Sequence, residues 1–329
     1  MRTLLIGVLA GLTVIVVHVQ AADPRSGFVL VANQQSASAS LIDLTTDTAR
    51  IIAVGDGPHE AVIAPSGRTA VVTVYGIAGA PGNQVAVVDI DKGVVTKTIS
   101  LGELTRPHGA MFLPGDERRI AVTSETTQNV VLVDLLEGKV EAVIPTKAAG
   151  SHMVAITADG RRAFTSNVGG GSVSELDLAR RAFVREIPIA PRVEGIAVSP
   201  DGTTVWAGSN TEGTVSVIDT ASGTIAATLR GFSMPYRMAF SSDGKTVAIC
   251  DASGDKLHIA DALARKVVWT LDGLGAPRGV NIAPDGKTAF VTLAGDETMG
   301  VVDLETHRLT RRIKVQRSPD GVWFGLRPR

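Results

Sequence analysis

The sequence predicts an all-β fold, a single seven-bladed antiparallel β-propeller, and three observations carry that expectation. An aspartate returns seven times, at Asp43, Asp89, Asp134, Asp177, Asp219, Asp261 and Asp303, with spacings of 46, 45, 43, 42, 42 and 42 residues. Each closes a short alternating run, such as Val85-Ala86-Val87-Val88-Asp89 or Met299-Gly300-Val301-Val302-Asp303. Turn tripeptides recur in step with these runs, as in Pro200-Asp201-Gly202 and Pro284-Asp285-Gly286. Short strands repeating every 40–45 residues or so are the signature of propeller blades. Seven copies mean seven blades.

One blade is clearest over residues 191–231. Pro191-Arg192-Val193-Glu194-Gly195 leads into Ile196-Ala197-Val198-Ser199, the innermost strand. Pro200-Asp201-Gly202 turns the chain, since Pro presets φ and Asp and Gly tolerate the reversal. Thr204–Gly208 is the second strand, Thr214–Asp219 the third and Thr224–Leu229 the outermost. Antiparallel neighbours joined this closely need no helix between them. The repeated Asp is expected to cap its own turn through a side-chain hydrogen bond, a structural role.

Other units begin at Pro58, Pro107, Ser151, Pro235, Pro277 and Pro319, and the last has room for one strand, Gly321–Leu326. The segment from Phe28 to Val54 supplies three more. The closing blade is therefore shared between the two ends of the chain, which leaves no open sheet edge at the seam.

Arg2, the apolar run Leu4–Val17 and the small residues after Val19 read as an export signal, residues 1–21, followed by the propeller, 22–329. The alternative is an uncleaved anchor. After cleavage no stable membrane insertion is expected, and the protein is placed in the periplasm or outside the cell, as a monomer. Cys250 is the only cysteine, so no internal disulfide closes the ring, and its apolar surroundings mark a buried strand thiol. The absence of Cys-x-x-Cys-His excludes covalent c-type haem. A net charge of −1 and a pI near 6.6 argue against a nucleic-acid partner, which selects a basic face.

The Pro-x-Gly, Pro-Asp-Gly and Val-x-Val-Ile-Asp phrases over residues 28–329 resemble the YVTN-repeat family of seven-bladed propellers. That resemblance implies the fold. Its functions range over lactonase-like enzymes, surface proteins and binding modules, so activity must be argued from the site.

One face carries the similar Asp-Gly turns. The other carries the starts of the inner strands, and there the copies diverge. His59, His108, His152, Arg192, Tyr236, Arg278 and Asp320 follow the unit starts, with Glu60, Glu194 and Arg237 nearby. These side chains are expected to ring the mouth of the central channel. A longer stretch, Tyr75–Asn83, stands on the same face as a tolerated insertion or a lid.

Three imidazoles on consecutive blades, His59, His108 and His152, suit Zn, Cu or Fe with a position left for water. Glu60 or Glu194 then serves as general base in a metal-assisted hydrolysis or elimination, and Arg192, Arg237 and Arg278 hold an anionic substrate. Streptogramin B lyases and lactonases resemble this in placing His, Glu or Arg at the hub. The copper propeller of nitrous-oxide reductase is similar but uses more histidines. The leading expectation is instead a metal-free pocket, with Arg192, Tyr236, Arg237, Arg278 and Asp320 binding a small polar or anionic ligand or a protein partner. A third reading, a propeller subunit of a periplasmic redox complex, rests on a resemblance to the heavy subunit of methylamine dehydrogenase. No P-loop, His-Glu-x-x-His or Gly-x-Ser-x-Gly motif offers a competing chemistry.

Overall fold

Each strand of the repeat is too short and too apolar to be stable alone, and the chain solves this by stacking seven four-stranded sheets around one axis. The computed structural model describes residues 26–327. Blades 1 to 6 occupy residues 58–100, 107–145, 151–188, 193–230, 235–271 and 277–314. Blade 7 pairs Pro319–Leu326 with Gly27–Asn33, followed by Ser38–Asp43 and Thr48–Ala53. The closing blade is thus shared as the sequence predicts. The inner strands touch in the order 1 to 7 and back to 1. The assignment of residues 1–21 to an export signal lies outside the described residues.

Alternation along the strands sets the core. In the second strand of blade 1, Ala70, Val72 and Val74 pack toward blade 7, while Val71 packs toward blade 2. Both faces of a middle strand are therefore buried, which explains the near-continuous Val and Ile runs. Seven apolar clusters result, one at each blade-to-blade contact. Outer strands bury few residues, such as Ile52, Ile99, Ile144 and Ile187, and leave the rest partly or fully exposed.

The seven repeated aspartates do cap their turns. Asp43 accepts from the Thr45 amide at 2.9 Å, Asp89 from Lys92 at 2.9 Å and Asp219 from Ser222 at 2.8 Å. Asp134, Asp177, Asp261 and Asp303 repeat the contact in their blades.

The stretch over Tyr75–Asn83 is not a loop. The second and third strands of blade 1, Thr69–Ile77 and Ala80–Asp89, simply continue past their neighbours and close around Ala78 and Gly79. Gly79 has φ 77°, the left-handed conformation a tight turn asks of glycine. This raised hairpin brings Tyr75 over the hub.

Candidate binding site at the hub mouth

Every inner strand is interrupted at the same place. The pairing slips between Pro58 and Ala61, Pro107 and Ala110, Ser151 and Val154, Val193 and Ile196, Pro235 and Arg237, and Pro277 and Val280. Blade 7 shows the same slip opposite Val31 and Asn33. A bulge leaves residues unpaired and re-aims their side chains. Here it points the second and third residues of each inner strand into the hub.

Hydroxyls on the second strands stitch these bulges together. Thr73 accepts from the Glu60 amide at 3.0 Å and donates to the His108 carbonyl of the next blade at 3.0 Å. Thr123 does the same between Gly109 and His152, Ser166 between Met153 and Glu194, and Thr292 between Gly279 and Asp320. In blade 5 the Cys250 thiol takes this position, 3.6 Å from the Gly279 carbonyl. Its burial pushes the thiol pKa far up, so it is a structural sulfur and not a nucleophile.

A second repeated bond fixes the register of the ring. The amides of Gln34, Tyr75, Glu125, Val168, Asn210, Ala252 and Ala294 donate to Ser318, Gly57, Arg106, Gly150, Arg192, Met234 and Ala276. Arg192 is therefore the residue before its strand, exposed and with φ 56°. The ring position of blade 4 belongs to Glu194. Pro191-Arg192 reads like Pro58-His59 in sequence, but the strand starts two residues later, at Val193. The ring is His59, His108, His152, Glu194, Tyr236, Arg278 and Asp320.

The third residues form the layer beneath: Glu60, Gly109, Met153, Gly195, Arg237, Gly279 and Gly321. A Cβ at Gly195 would lie 2.6 Å from the Tyr236 carbonyl, and one at Gly109 2.7 Å from Met153 Cα. The glycines thus admit the next blade. They also leave room for Glu60 and Arg237 to meet across the channel, Nε and Nη2 of the arginine standing 3.0 and 2.9 Å from Glu60 Oε1. Below this bridge the channel is apolar, a cavity of about 290 Å³ bordered by Met111, Met153, Met238, Val322 and Trp323.

Above it the polar groups form one connected arc. The Tyr75 hydroxyl donates to Glu125 Oε1 at 3.1 Å, and Glu125 Oε2 lies 2.9 Å from His152 Nδ1. His152 Nε2 stands 3.3 Å from Glu194 Oε1, and Arg237 Nη1 3.6 Å from the same oxygen. Arg237 Nη2 then reaches to 4.0 Å from Asp320 Oδ1. Asn210 bonds the second oxygen of Glu194.

The three predicted imidazoles do converge, but they are not equivalent. The His108 ring lies 4.6 Å from His59 and 3.7 Å from His152, centroid to centroid. His59 donates from Nδ1 to the Gly57 carbonyl at 2.8 Å, which leaves Nε2 to accept from the Gln34 amide at 2.7 Å. Both of its nitrogens are occupied. His108 is 1% exposed, and its Nδ1 has no hydrogen-bond partner.

Protonation follows from these surroundings. Burial holds His108 well below the usual imidazole range, and the neighbouring His152 charge adds to this. Burial also pulls His152 down, but Glu125 and Glu194 outweigh it and the net shift is upward. Glu194 is pushed up by burial and pulled further down by His152 and Arg237, to about 2. Burial carries Glu60 up to about 7 despite Arg237. Arg237 stays charged, its own pKa raised by the surrounding acids against its burial.

The sequence places most of the ring and sets Tyr75, Glu125 and Asn210 in a second tier on the same face, but Gln34 and the bonds these groups make to the ring emerge only in the structure. All four hold the equivalent position near the end of a second strand, one per blade, and are the polar members of that series.

Comparison with known proteins adds the fold. The chain is similar to Kuenenia stuttgartiensis hydrazine synthase, with TM-score 0.73 and 20% identity over 85% of this chain and 93% of that one. It is similar also to a functionally unknown protein from Desulfotomaculum acetoxidans, with TM-score 0.78 and 14% identity over 92% and 100%. No family model and no curated protein matches the sequence. The likeness is one of architecture.

Proposed function

We propose that this protein is a binding propeller whose hub mouth holds a small polar ligand carrying a cationic or multiply donating group. The observation that carries the reading is Asp320. It is completely buried, yet neither carboxylate oxygen makes a hydrogen bond. An unmet buried carboxylate is costly, and a ligand that donates to it removes the cost. Arg237 Nη2 and His152 Nε2, buried beside this space, already face Glu60 and Glu194 at 2.9 and 3.3 Å. They hold the shape of the pocket around Asp320.

The charge balance does not favour the anion expected from the arginines alone. Glu125, Glu194 and Asp320 face three cations, Arg237, His152 and the rim residue Arg278, and Glu60, with its pKa raised to about 7, adds a partial negative charge at neutral pH. Arg237 is committed to Glu60, and Arg278 to Ser318 at 2.9 Å. Arg192 lies outside the ring. A cation is therefore favoured over an anion. With residues 1–21 read as an export signal, this binding takes place in the periplasm or outside the cell.

The repeat phrases support membership of the YVTN-repeat propellers, and the likeness to a hydrazine synthase chain fits a subunit of a redox complex. Neither supplies a residue to the site, so they rank behind ligand binding. The test is calorimetry and thermal shift with methylammonium, guanidinium and glycine against acetate and phosphate. Binding of the donating probes that disappears in Asp320→Asn supports the reading. Equal responses in wild type and variant, or none in either, reject it.

A further inference from the structure

We infer that the same mouth holds a second, separate occupant: a transition-metal dication of the Zn²⁺ class, bound by His108, Glu125 and His152. The inference rests on the reading of the hub mouth as a ligand site and names a different set of residues within it.

The donor atoms of His108, Glu125 and His152 all lie within 4.8 Å of one another. Three donors around one ion at Zn–N and Zn–O lengths near ~2.1 Å are spaced roughly 3.5 Å apart. Glu125 Oε2 and His152 Nδ1 already stand 2.9 Å apart, so an ion would part this pair slightly and draw His108 toward it, with Glu125 on the half-buried turn after its strand. His108 carries a buried nitrogen, Nδ1, without a hydrogen-bond partner, and its ring lies 3.7 Å from that of His152, centroid to centroid. Such a group is a ligand waiting for a Lewis acid or a proton donor, and none of the surrounding protein groups supplies one.

The supporting contacts are those a metal centre uses. Ligating imidazoles are oriented through their second nitrogen, and ligating carboxylates through their second oxygen. His152 has Glu194 3.3 Å from Nε2, with Nδ1 facing Glu125. Glu125 has the Tyr75 hydroxyl on Oε1, with Oε2 facing His152. Arg106 in turn steadies Tyr75, its guanidinium 4.7 Å from the ring centre. On binding, the ion takes the place of the proton now shared between His152 Nδ1 and Glu125 Oε2.

His59 does not belong to the set, although the sequence spacing includes it. Its nitrogens are spent on Gly57 and Gln34. Two imidazoles and a carboxylate select a borderline metal over Mg²⁺ or Ca²⁺, which take oxygen ligands. Three protein ligands leave a coordination position open, as in catalytic and not structural zinc sites. Such an ion would polarise a carbonyl or lower the pKa of a bound water.

The experiment uses the full chain without an affinity His-tag, stripped by chelator, with Zn²⁺ titrated by calorimetry and Co²⁺ followed by visible absorption. One Zn²⁺ per chain is expected, with His108→Gln and Glu125→Gln each weakening it at least about tenfold, while His59→Gln changes it by less than about threefold. Intense bands of four- or five-coordinate Co²⁺ in the wild type support the site without relying on any variant. A Co²⁺ spectrum like that of the ion in buffer overturns it. So does affinity that falls with His59→Gln and not with Glu125→Gln. Ammonium probes that still bind through Asp320 in a chain taking no Zn²⁺ would sink the metal and leave the ligand reading standing.

Discussion

Replacing Arg237 by methionine tests whether the bridge across the channel is a desolvated ion pair. Arg237 and Glu60 are 5% and 8% exposed, and Arg237 faces three acids: Glu60 at 2.9 Å, Glu194 at 3.6 Å and Asp320 at 4.0 Å. Breaking a buried pair by deleting one partner costs about 3–5 kcal/mol, because the other charge is left uncompensated. Glu60 takes up a proton near pH 7, which relieves part of the repulsion and places Arg237→Met near the lower end of that range. Glu60→Gln keeps the shape and leaves Arg237 two remaining acids, so it costs less, about 1–2 kcal/mol. The double variant with methionine at both positions also removes the stranded Glu60 but leaves Glu194 and Asp320 without Arg237, so it should recover about 1–2 kcal/mol of the Arg237→Met loss and stay below wild type. Urea unfolding followed by tryptophan fluorescence at pH 7 gives all three values. A double variant no more stable than Arg237→Met, or a Glu60→Gln cost equal to that of Arg237→Met, would refute the reasoning. The bridge would then be ordinary hydrated surface.

Three further outcomes are expected. Gly195→Ala forces its Cβ to 2.6 Å from the Tyr236 carbonyl, so blades 4 and 5 must part, with a loss of about 1–3 kcal/mol in urea unfolding. In metal-free protein the raised His152 pKa contributes stability that is complete below the unfolded value near ~6.5 and fades as pH rises through the folded value. Urea midpoints should fall from pH 6 to pH 9, and His152→Gln should flatten that fall; an unchanged slope counts against the Glu125–His152–Glu194 arrangement. Cys250, fully buried and serving as a stitch, should resist thiol reagents in the native protein and react at once in denaturant. Labelling of the folded chain at the rate of a free thiol would show that the stitch is open.

The agreement between sequence and structure follows how local each feature is. Asp219 and its turn lie three residues apart, so a repeated aspartate reports a repeated cap directly. The blade boundaries follow from the same short-range chemistry, and the shared closing blade follows from which strands the chain ends lack. Arg192 shows the limit. Its dipeptide matches the other unit starts, but the register is set by pairing of Val193 with Ser209, which no dipeptide encodes. The raised hairpin of blade 1 likewise reads as an insertion until Gly76 is seen to pair with Pro81.

By itself the sequence determined seven blades, the seam between the chain ends, the capping aspartates and a polar ring at the inner-strand starts. These depend on two-residue alternation, turn residues and repeat length, all properties of neighbours along the chain. Only the tertiary structure decided which ring atoms are free and which are spent. His59 is occupied by Gln34 from the far side of the seam, Glu125 enters from a second-strand end, and Asp320 is buried without a hydrogen bond. Glu60 meets Arg237 across 177 residues. The physical reason is ring closure. It gathers seven separate bulges onto one axis, where buried charges must be satisfied by whichever group the neighbouring blades present.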